Sequence, residues 1–308
     1  MTNLIEKGNS FYVAGHNGMV GKAIIKELLK KGYCDRKYGG KLIKATRNEL
    51  DLTCFKDVSE WFRKNKPDIV IVAAAKVGGI YANYTYPYEF ISENLKIAQN
   101  IIEAAWKNET KRLLFLGSSC IYPKSSKCPI REEDLLSSNL EKTNESYAIA
   151  KIAGIKLCEA IRKQYGFDTI SLMPTNLYGP GDNYHSEESH VIASLLKKFI
   201  VAKRNNLKEV VCWGTGNPLR EFLHVDDLAS SCIYVLEKWN PSDANAPKDT
   251  YGENLLYLNV GSGEEISIKD LAKKIAMFTN YDGQILWDKN KPDGTYRKNL
   301  DLSKIKSI

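Results

Sequence analysis

No run of apolar residues in this 308-residue chain is long enough to cross a bilayer. The longest, such as Ile69-Val70-Ile71-Val72-Ala73-Ala74-Ala75, have strand length, against the roughly 20 residues that a spanning helix needs. The first residues, Met1-Thr2-Asn3-Leu4-Ile5-Glu6-Lys7, lack the apolar centre of a signal peptide. Cysteine is sparse: seven residues, an odd number without a C-x-x-C pair, which argues against a disulfide framework and against a zinc site. A reducing, cytoplasmic setting without a resident metal is the expectation. Internal repeats and low-complexity tracts are lacking as well. The net charge of +7 has no basic block behind it, because Lys and Arg alternate with Asp and Glu and no basic cluster with interleaved aromatics stands out. Nucleic acid is therefore not the expected partner, whereas a local positive excess suits a small anionic ligand. At 43% hydrophobic and 26% charged residues, the chain can bury a sizeable core as one large or two intimate domains.

What is present begins with glycine. Gly15-His16-Asn17-Gly18-Met19-Val20-Gly21 follows the apolar run Phe11-Tyr12-Val13-Ala14 and precedes a segment in which Val20, Ile24, Leu28 and Ile25, Leu29 recur at helical spacing. This pattern predicts strand, tight turn and helix. Such a turn aims backbone N–H groups and a helix N-terminus at a pyrophosphate, and each glycine removes a Cβ that would block the approach. On its own the pattern also fits an ordinary glycine turn.

Further along, Gly117-Ser118-Ser119-Cys120 is followed by Tyr147-Ala148-Ile149-Ala150-Lys151. Positions i and i+4 share a helix face, so Lys151 is expected to lower the pKa of the Tyr147 phenol, with Ser118 holding the same substrate oxygen. Taken alone, the spacing equally fits a solvated helix with one Tyr packed inward. Coming after the glycine turn, it reads as proton-handling apparatus.

Lys41-Leu42-Ile43-Lys44-Ala45, Ile69 to Ala75, Arg112-Leu113-Leu114-Phe115-Leu116 and Thr169-Ile170-Ser171-Leu172-Met173 read as further strands with helical patterns between them. The alternation predicts an α/β fold, a doubly wound parallel Rossmann sheet with ligands at the carboxyl ends of its strands. Beyond Gly181 the texture becomes turn-rich, with helices expected from His190 to about Lys203, over Val225 to Trp239 and from Ile268 to about Phe278, and a surface loop over Asn240 to Asn254. The expected division is a cofactor domain of residues 1–180 plus about 222–240, and a smaller α/β substrate-binding domain of residues 181–221 and 241–308. An acidic residue about 20 positions after the glycine turn commonly takes the ribose hydroxyls of NAD, but here the second strand ends in Thr46-Arg47-Asn48. Arg47 suits a 2′-phosphate, so NADP(H) is expected; the alternative is a plain loop cation. Asp51-Leu52, near the end of the third strand, is expected to meet the adenine, and Ala73 and Ala74 to line the same ligand.

The ordered set Gly15, Gly18, Gly21, Ser118, Tyr147 and Lys151 resembles the extended short-chain dehydrogenase/reductase family over almost the whole chain. Gly117-Ser-Ser-Cys-Ile-Tyr-Pro-Lys124, Ser189-His-Val-Ile192, Trp213-Gly-Thr-Gly and Arg220-Glu-Phe-Leu-His-Val-Asp-Asp227 are similar to its bifunctional epimerase–reductases. These act on GDP-4-keto-6-deoxy-D-mannose, epimerising C3 and C5 and then reducing C4 with NADPH. The resemblance implies Cys120 as base, working as thiolate, and His190 as acid on the opposite sugar face, with Ser118 and Tyr147 stabilising the enolate oxygen and Tyr147 protonating the C4 alkoxide. It implies Arg220 and Lys291, with Lys198, for the substrate diphosphate, Trp213 against the nucleotide or sugar, and Pro174, Asn176, Leu177 and His190 beside the nicotinamide. It also implies a homodimer through the helices around Asn94 to Trp106 and Tyr147 to Tyr165. Asn17 departs from the family, which often has Arg there, so Arg47 carries more of the NADP preference. The other cysteines are expected to be small buried hydrophobes, His185 and His224 to be structural, and Asn94 to be a polar link. Two rival readings share the motifs: an NAD-dependent sugar-nucleotide 4-epimerase or dehydratase, and a catalytically silent NADP-sensing module.

Overall fold

Strand-length apolar runs alternating with amphipathic helices build a parallel sheet first and a set of shorter strands beside it. The computed structural model describes residues 3–184, 189–291 and 293–308. In chain order its elements are β1 (Ser10–Ala14), α1 (Met19–Lys30), β2 (Lys41–Ile43), α2 (Phe55–Asn65), β3 (Ile69–Val72), α3 (Ile80–Thr85), α4 (Pro87–Lys107), β4 (Arg112–Leu116), α5 (Glu145–Tyr165), β5 (Thr169–Pro174), β6 (Asn176–Tyr178), α6 (Val191–Arg204), β7 (Glu209–Trp213), β8 (Leu219–His224), α7 (Val225–Lys238), β9 (Tyr257–Val260), β10 (Glu265–Ser267), α8 (Ile268–Phe278), β11 (Gln284–Asp288), β12 (Arg297–Lys298) and α9 (Ser303–Lys306).

Strands β2-β1-β3-β4-β5-β9 form a six-stranded sheet in which every pairing is parallel. Parallel neighbours need crossover helices on the sheet faces, which is why β3, β4 and β5 are buried at every position. The winding reverses between β1 and β3, and this opens a crevice at the carboxyl ends of the strands. A second apolar cluster joins α6, α8, β7 and β11 through Leu195, Phe199, Cys212, Leu271 and Ile275. Beside it, β8 pairs with β6, β10 and β12. α7 packs against α1, with rim pairs Lys26–Asp226 at 2.6 Å and Lys31–Glu237 at 2.7 Å.

The structure differs from the sequence-based expectation in two places. β9 lies inside the 241–308 stretch assigned to the substrate side, yet it completes the central sheet, and Leu300 and Leu302 pack on the same core. Its residues Tyr257 to Val260 are all buried, as a strand covered on both faces must be; the turn-rich flanks hid it. Asp51-Leu52 is not on a strand but in the turn ahead of α2. There the Asp51 carboxylate accepts the Thr53 N–H at 2.9 Å and its hydroxyl at 2.8 Å, bonds that hold it below the usual carboxylate range.

Two buried carboxylates strap the two halves of the molecule together. Glu221 on β8, fully buried, accepts the N–H of Gly263 at 2.8 Å and of Leu300 at 2.9 Å. This fixes where the chain leaves β12. Glu132, also fully buried, accepts the Asn259 N–H at 2.9 Å, while the Asn259 side chain accepts from the Tyr122 hydroxyl at 2.6 Å and donates to the Ile130 carbonyl at 3.0 Å. Burial pushes the Glu132 carboxyl up to about 7, against the pull of the Asn259 N–H. The folded chain thus keeps a proton that the unfolded chain has released above pH 4.5, so this group's stabilisation is complete below that value and is lost as pH rises through about 7. Glu132→Gln, which retains the acceptor for Asn259, is expected to flatten that part of the stability profile. Urea midpoints measured from about pH 5 to about pH 8 check it, and an unaltered slope contradicts it.

Candidate active site

The turn between β1 and α1 shows why glycine is required at its two ends. Gly15 has φ +84°, and a Cβ there would lie 2.8 Å from the Ala74 backbone; a Cβ on Gly21 would lie 2.2 Å from the Gly15 carbonyl oxygen. Between them the Gly18 N–H closes the turn on Gly15 O at 3.0 Å. Gly18 caps α1 without a side-chain hydrogen bond, and the first turn carries no acidic residue, so the helix presents bare N–H groups and its positive end. These features fit a dinucleotide pyrophosphate. His16 is buried in the turn, its imidazole held below the ordinary range by desolvation and then by Lys44, whereas Asn17 is exposed. The Arg47 side chain, 79% exposed, lies 3.9 Å from Glu93, which Lys76 already holds at 2.8 Å. Arg47 is thereby left available to a phosphate. Asn94 clamps Lys76 by accepting its N–H at 2.9 Å and donating to its carbonyl at 3.0 Å.

Below the turn, a cavity of about 310 Å³ runs across the ends of β4 and β5. Ser118, Cys120, Tyr147, Lys151 and His190 all line it, together with Met19, Val20, Ala73, Pro174, Asn176, Leu177 and Arg220. Ser118 caps the short 3-10 turn Ser119–Ile121, its Oγ accepting the Cys120 N–H at 3.2 Å, so the hydroxyl and the thiol are placed by one turn of backbone. Lys151, 5% exposed, donates from Nζ to the Leu116 carbonyl at 2.7 Å and lies 5.9 Å from the centre of the Tyr147 ring. Burial pushes its ammonium down to about 8. The expected lowering of the Tyr147 phenol is not what the structure gives. Burial, then the neighbouring Cys120, raises it, and the Ser118 hydroxyl opposes them only in part. The Lys151 ammonium is engaged by a backbone carbonyl, so desolvation dominates, and Tyr147 is held in the protonated form suited to donating. His190 caps α6 without a side-chain cap bond; desolvation holds its imidazole below the ordinary 6.5, against Asp182.

The remaining candidates divide into two places. Arg220 enters the cavity, its Nη1 on the Leu219 carbonyl at 2.8 Å and its Nη2 3.5 Å from the Asp293 carbonyl. Trp213, Lys198 and Lys291 instead form an outer cluster, the two ammonium groups lying 5.6 and 5.3 Å from the indole ring. His224 caps α7, its Nδ1 accepting the Asp226 N–H at 3.2 Å, while His185 lies outside the described residues. Cys158, Cys212 and Cys232 are buried as expected, whereas Cys34, Cys54 and Cys128 are only partly buried because each sits in a turn or loop outside the strands and helices. Lys298 was missed from the sequence: it lines the cavity with its Nζ 3.7 Å from the Cys120 sulfur. No local motif marks it. Only the parallel register that sets Lys298 beside Arg220 brings it to the site.

The sequence matches the NAD dependent epimerase/dehydratase family over residues 11–247. The chain belongs to that family. GDP-L-fucose synthase 1 of Arabidopsis thaliana is 49% identical over 308 residues, covering 100% of this chain and 90% of the relative. GDP-L-fucose synthase of Escherichia coli is 48% identical over 301 residues, covering 96% and 89%. A GDP-L-fucose synthetase from Naegleria fowleri, solved bound to NADP, superposes with a TM-score of 0.83 at 26% identity, over 98% of this chain and 88% of that one. The epimerase/dehydratase glycine turn generates a sharp expectation. Gly21→Ala drives a Cβ onto Gly15 O, so it is expected to weaken nicotinamide-dinucleotide binding at least about tenfold and to lower the unfolding temperature, since forced contacts of this kind cost about 1–3 kcal/mol. Fluorescence titration and thermal unfolding check both; wild-type affinity contradicts it.

Proposed function

We propose that this chain converts GDP-4-keto-6-deoxy-D-mannose to GDP-L-fucose, epimerising C3 and C5 and reducing C4 with NADPH. The observation that carries the reading is a thiol and an imidazole sharing one cavity with a serine–tyrosine pair, in a chain about half identical over its full length to relatives named GDP-L-fucose synthase.

The C–H bonds at C3 and C5 flank the C4 carbonyl and are acidic because the resulting carbanion delocalises onto the C4 oxygen. Ser118 and Tyr147, which line the same cavity, are placed to donate to that oxygen as it gains charge. Cys120, as thiolate, takes the proton from one face, and His190 returns one to the other. Its lowered pKa makes the imidazolium scarcer as pH rises. NADPH held on the glycine turn, with Arg47 toward its 2′-phosphate, would supply the hydride for C4. Tyr147 then protonates the C4 oxygen, and the Lys151 charge, 5.9 Å from its ring, eases the phenolate left behind without overcoming the burial that keeps the resting phenol protonated. Arg220 takes the diphosphate within the cavity, with Lys198, Lys291 and Trp213 as the outer wall for the nucleotide.

The same reading takes residues 1–180 with about 222–240 as the cofactor half and 181–221 with 241–308 as the substrate half, β9 excepted. It includes a homodimer through α4 and α5, whose paired outer face exposes a groove lined by Leu95, Ile102, Trp106 and Leu157. Cytoplasm is the proposed location; among the described residues no helix is long and apolar enough to cross a membrane.

Incubation with GDP-4-keto-6-deoxy-mannose and NADPH is the decisive experiment. GDP-L-fucose with stoichiometric NADPH oxidation is expected, and an unreduced product or no turnover overturns the reading. Tyr147→Phe is expected to slow C4 reduction by about 10²- to 10⁴-fold while solvent deuterium still enters C3 and C5, whereas Cys120→Ser is expected to abolish most of that uptake. Mass spectrometry of the recovered sugar separates the two. Because the Lys151 charge is lost as pH rises through about 8, the reduction rate is expected to fall on that side, and a flat profile to pH 9.5 contradicts the role given to Lys151.

A further inference from the structure

Lys298 stands beside the Cys120 sulfur, and among the described residues its ammonium has no other partner. Arg297, the residue before Lys298, is fully engaged by Glu265, with Nε at 2.8 Å and Nη2 at 2.6 Å. Lys298 points the other way, into the cavity, and its Nζ reaches Cys120 Sγ at 3.7 Å. Among the described residues no carboxylate pairs with it. A surface lysine carries its ammonium into water; this one is half-buried against sulfur, on a strand whose exit is pinned by Glu221 through the Leu300 N–H. Parallel register places it next to Arg220, which also lies within electrostatic reach of Cys120. The groups facing the sulfur are thus Lys298 from β12, Arg220 from β8 and the neutral Tyr147 phenol from α5.

We propose that Lys298 is a positioning residue for the epimerisation steps: its ammonium is the counter-ion and hydrogen-bond donor that keeps Cys120 as thiolate, aimed at the sugar carbons, while Arg220 serves the diphosphate. This rests on the function proposed above. In each epimerisation the thiolate gains the substrate proton and becomes a thiol as the C3–H or C5–H pair moves into the enolate, and His190 delivers a proton to the opposite face. The thiol then returns its proton to water and His190 takes one up. Lys298 gives no proton to the sugar and only stabilises the anionic sulfur before and after each transfer. Two other cysteines show the opposite setting: without a cation, desolvation pushes buried Cys158 up to about 12 and half-buried Cys34 up to about 11, where thiolate is negligible at neutral pH.

The test uses the full chain, first without substrate and then with the keto-sugar. Iodoacetamide alkylation of Cys120 is followed by peptide mass spectrometry from pH 6 to pH 10 in wild type, Lys298→Met, Lys298→Gln and Lys298→Arg, with NADPH binding confirming that each variant is folded. The Met and Gln variants are expected to move the alkylation midpoint up by about one pH unit and to slow the reaction about tenfold near neutrality, with Arg restoring most of it. Solvent-deuterium uptake at C3 and C5 is expected to fall in parallel. An unmoved alkylation profile in the Met and Gln variants overturns the proposal, and if turnover nonetheless drops with a raised KM, Lys298 acts on the diphosphate instead. Should the profile move while wild type fails to exchange the keto-sugar protons, the pairing of Lys298 with Cys120 stands and the proposed substrate falls.

Discussion

The hydrogen bond from the Lys151 ammonium to the Leu116 carbonyl is the contact on which the site depends. Leu116 ends the central strand β4, where the backbone leaves the sheet and one orphaned carbonyl needs a donor. Supplying it from α5 locks that helix in rotation and height against the strand. Tyr147 lies one turn earlier on the same helix face, so the lock delivers the phenol to the Ser118 hydroxyl just past the strand end. Serine in turn organises the backbone of Ser119–Ile121 and so presents the thiol. One buried cation therefore places three reacting groups, and its own charge is weakened by the burial that makes it rigid.

How much of this was readable in the sequence follows from how local each determinant is. The glycine turn, the alternation behind the parallel sheet and the Tyr147–Lys151 pair rest on local patterns, and Ser118, Tyr147 and Lys151 line one cavity with Met19 and Val20 at the start of α1. Cys120 follows because it shares a turn with Ser118. The electrostatics were not readable in the same way. Spacing put an ammonium near a phenol, but only the fold shows that the ammonium is spent on a carbonyl and that desolvation rules the phenol. β9 escaped because its four residues sit among turns, and what makes it a strand is the open edge of β5, which no local pattern reports. Lys298 escaped for the same reason: it lies 178 residues from Cys120, and the register of β12 on β8 is what joins them.

The strain and polarity of the molecule are concentrated at the seams between its apolar clusters. Glycines at Gly15 and Gly21 allow backbone contacts that a single methyl would forbid, and buried Glu132 and Glu221 are held by main-chain N–H groups rather than by cations. Bonds of this kind carry direction: Glu221 spends both oxygens on main-chain N–H groups and Glu132 one, and each fixes where the donating segment passes. Glu221 next to Arg220 shows the consequence, since alternation along β8 sends the carboxylate into the core and the guanidinium into the cleft.

That arrangement also explains why a thiol suits the position of Cys120 better than a carboxylate would. Beside Arg220 and Lys298 a carboxylate, already ionised above about pH 4, would only lose basicity and would tie both cations into an ion pair. A thiolate is intrinsically a far stronger base than any carboxylate, and Lys298, 3.7 Å from the sulfur, is placed to balance its charge. The cations thus make the sulfur a usable base without competing for the substrate diphosphate. A base that acts at carbons on both sides of the C4 carbonyl must shed its proton between the two transfers, and the open cavity beside Lys298 gives that proton a way to water.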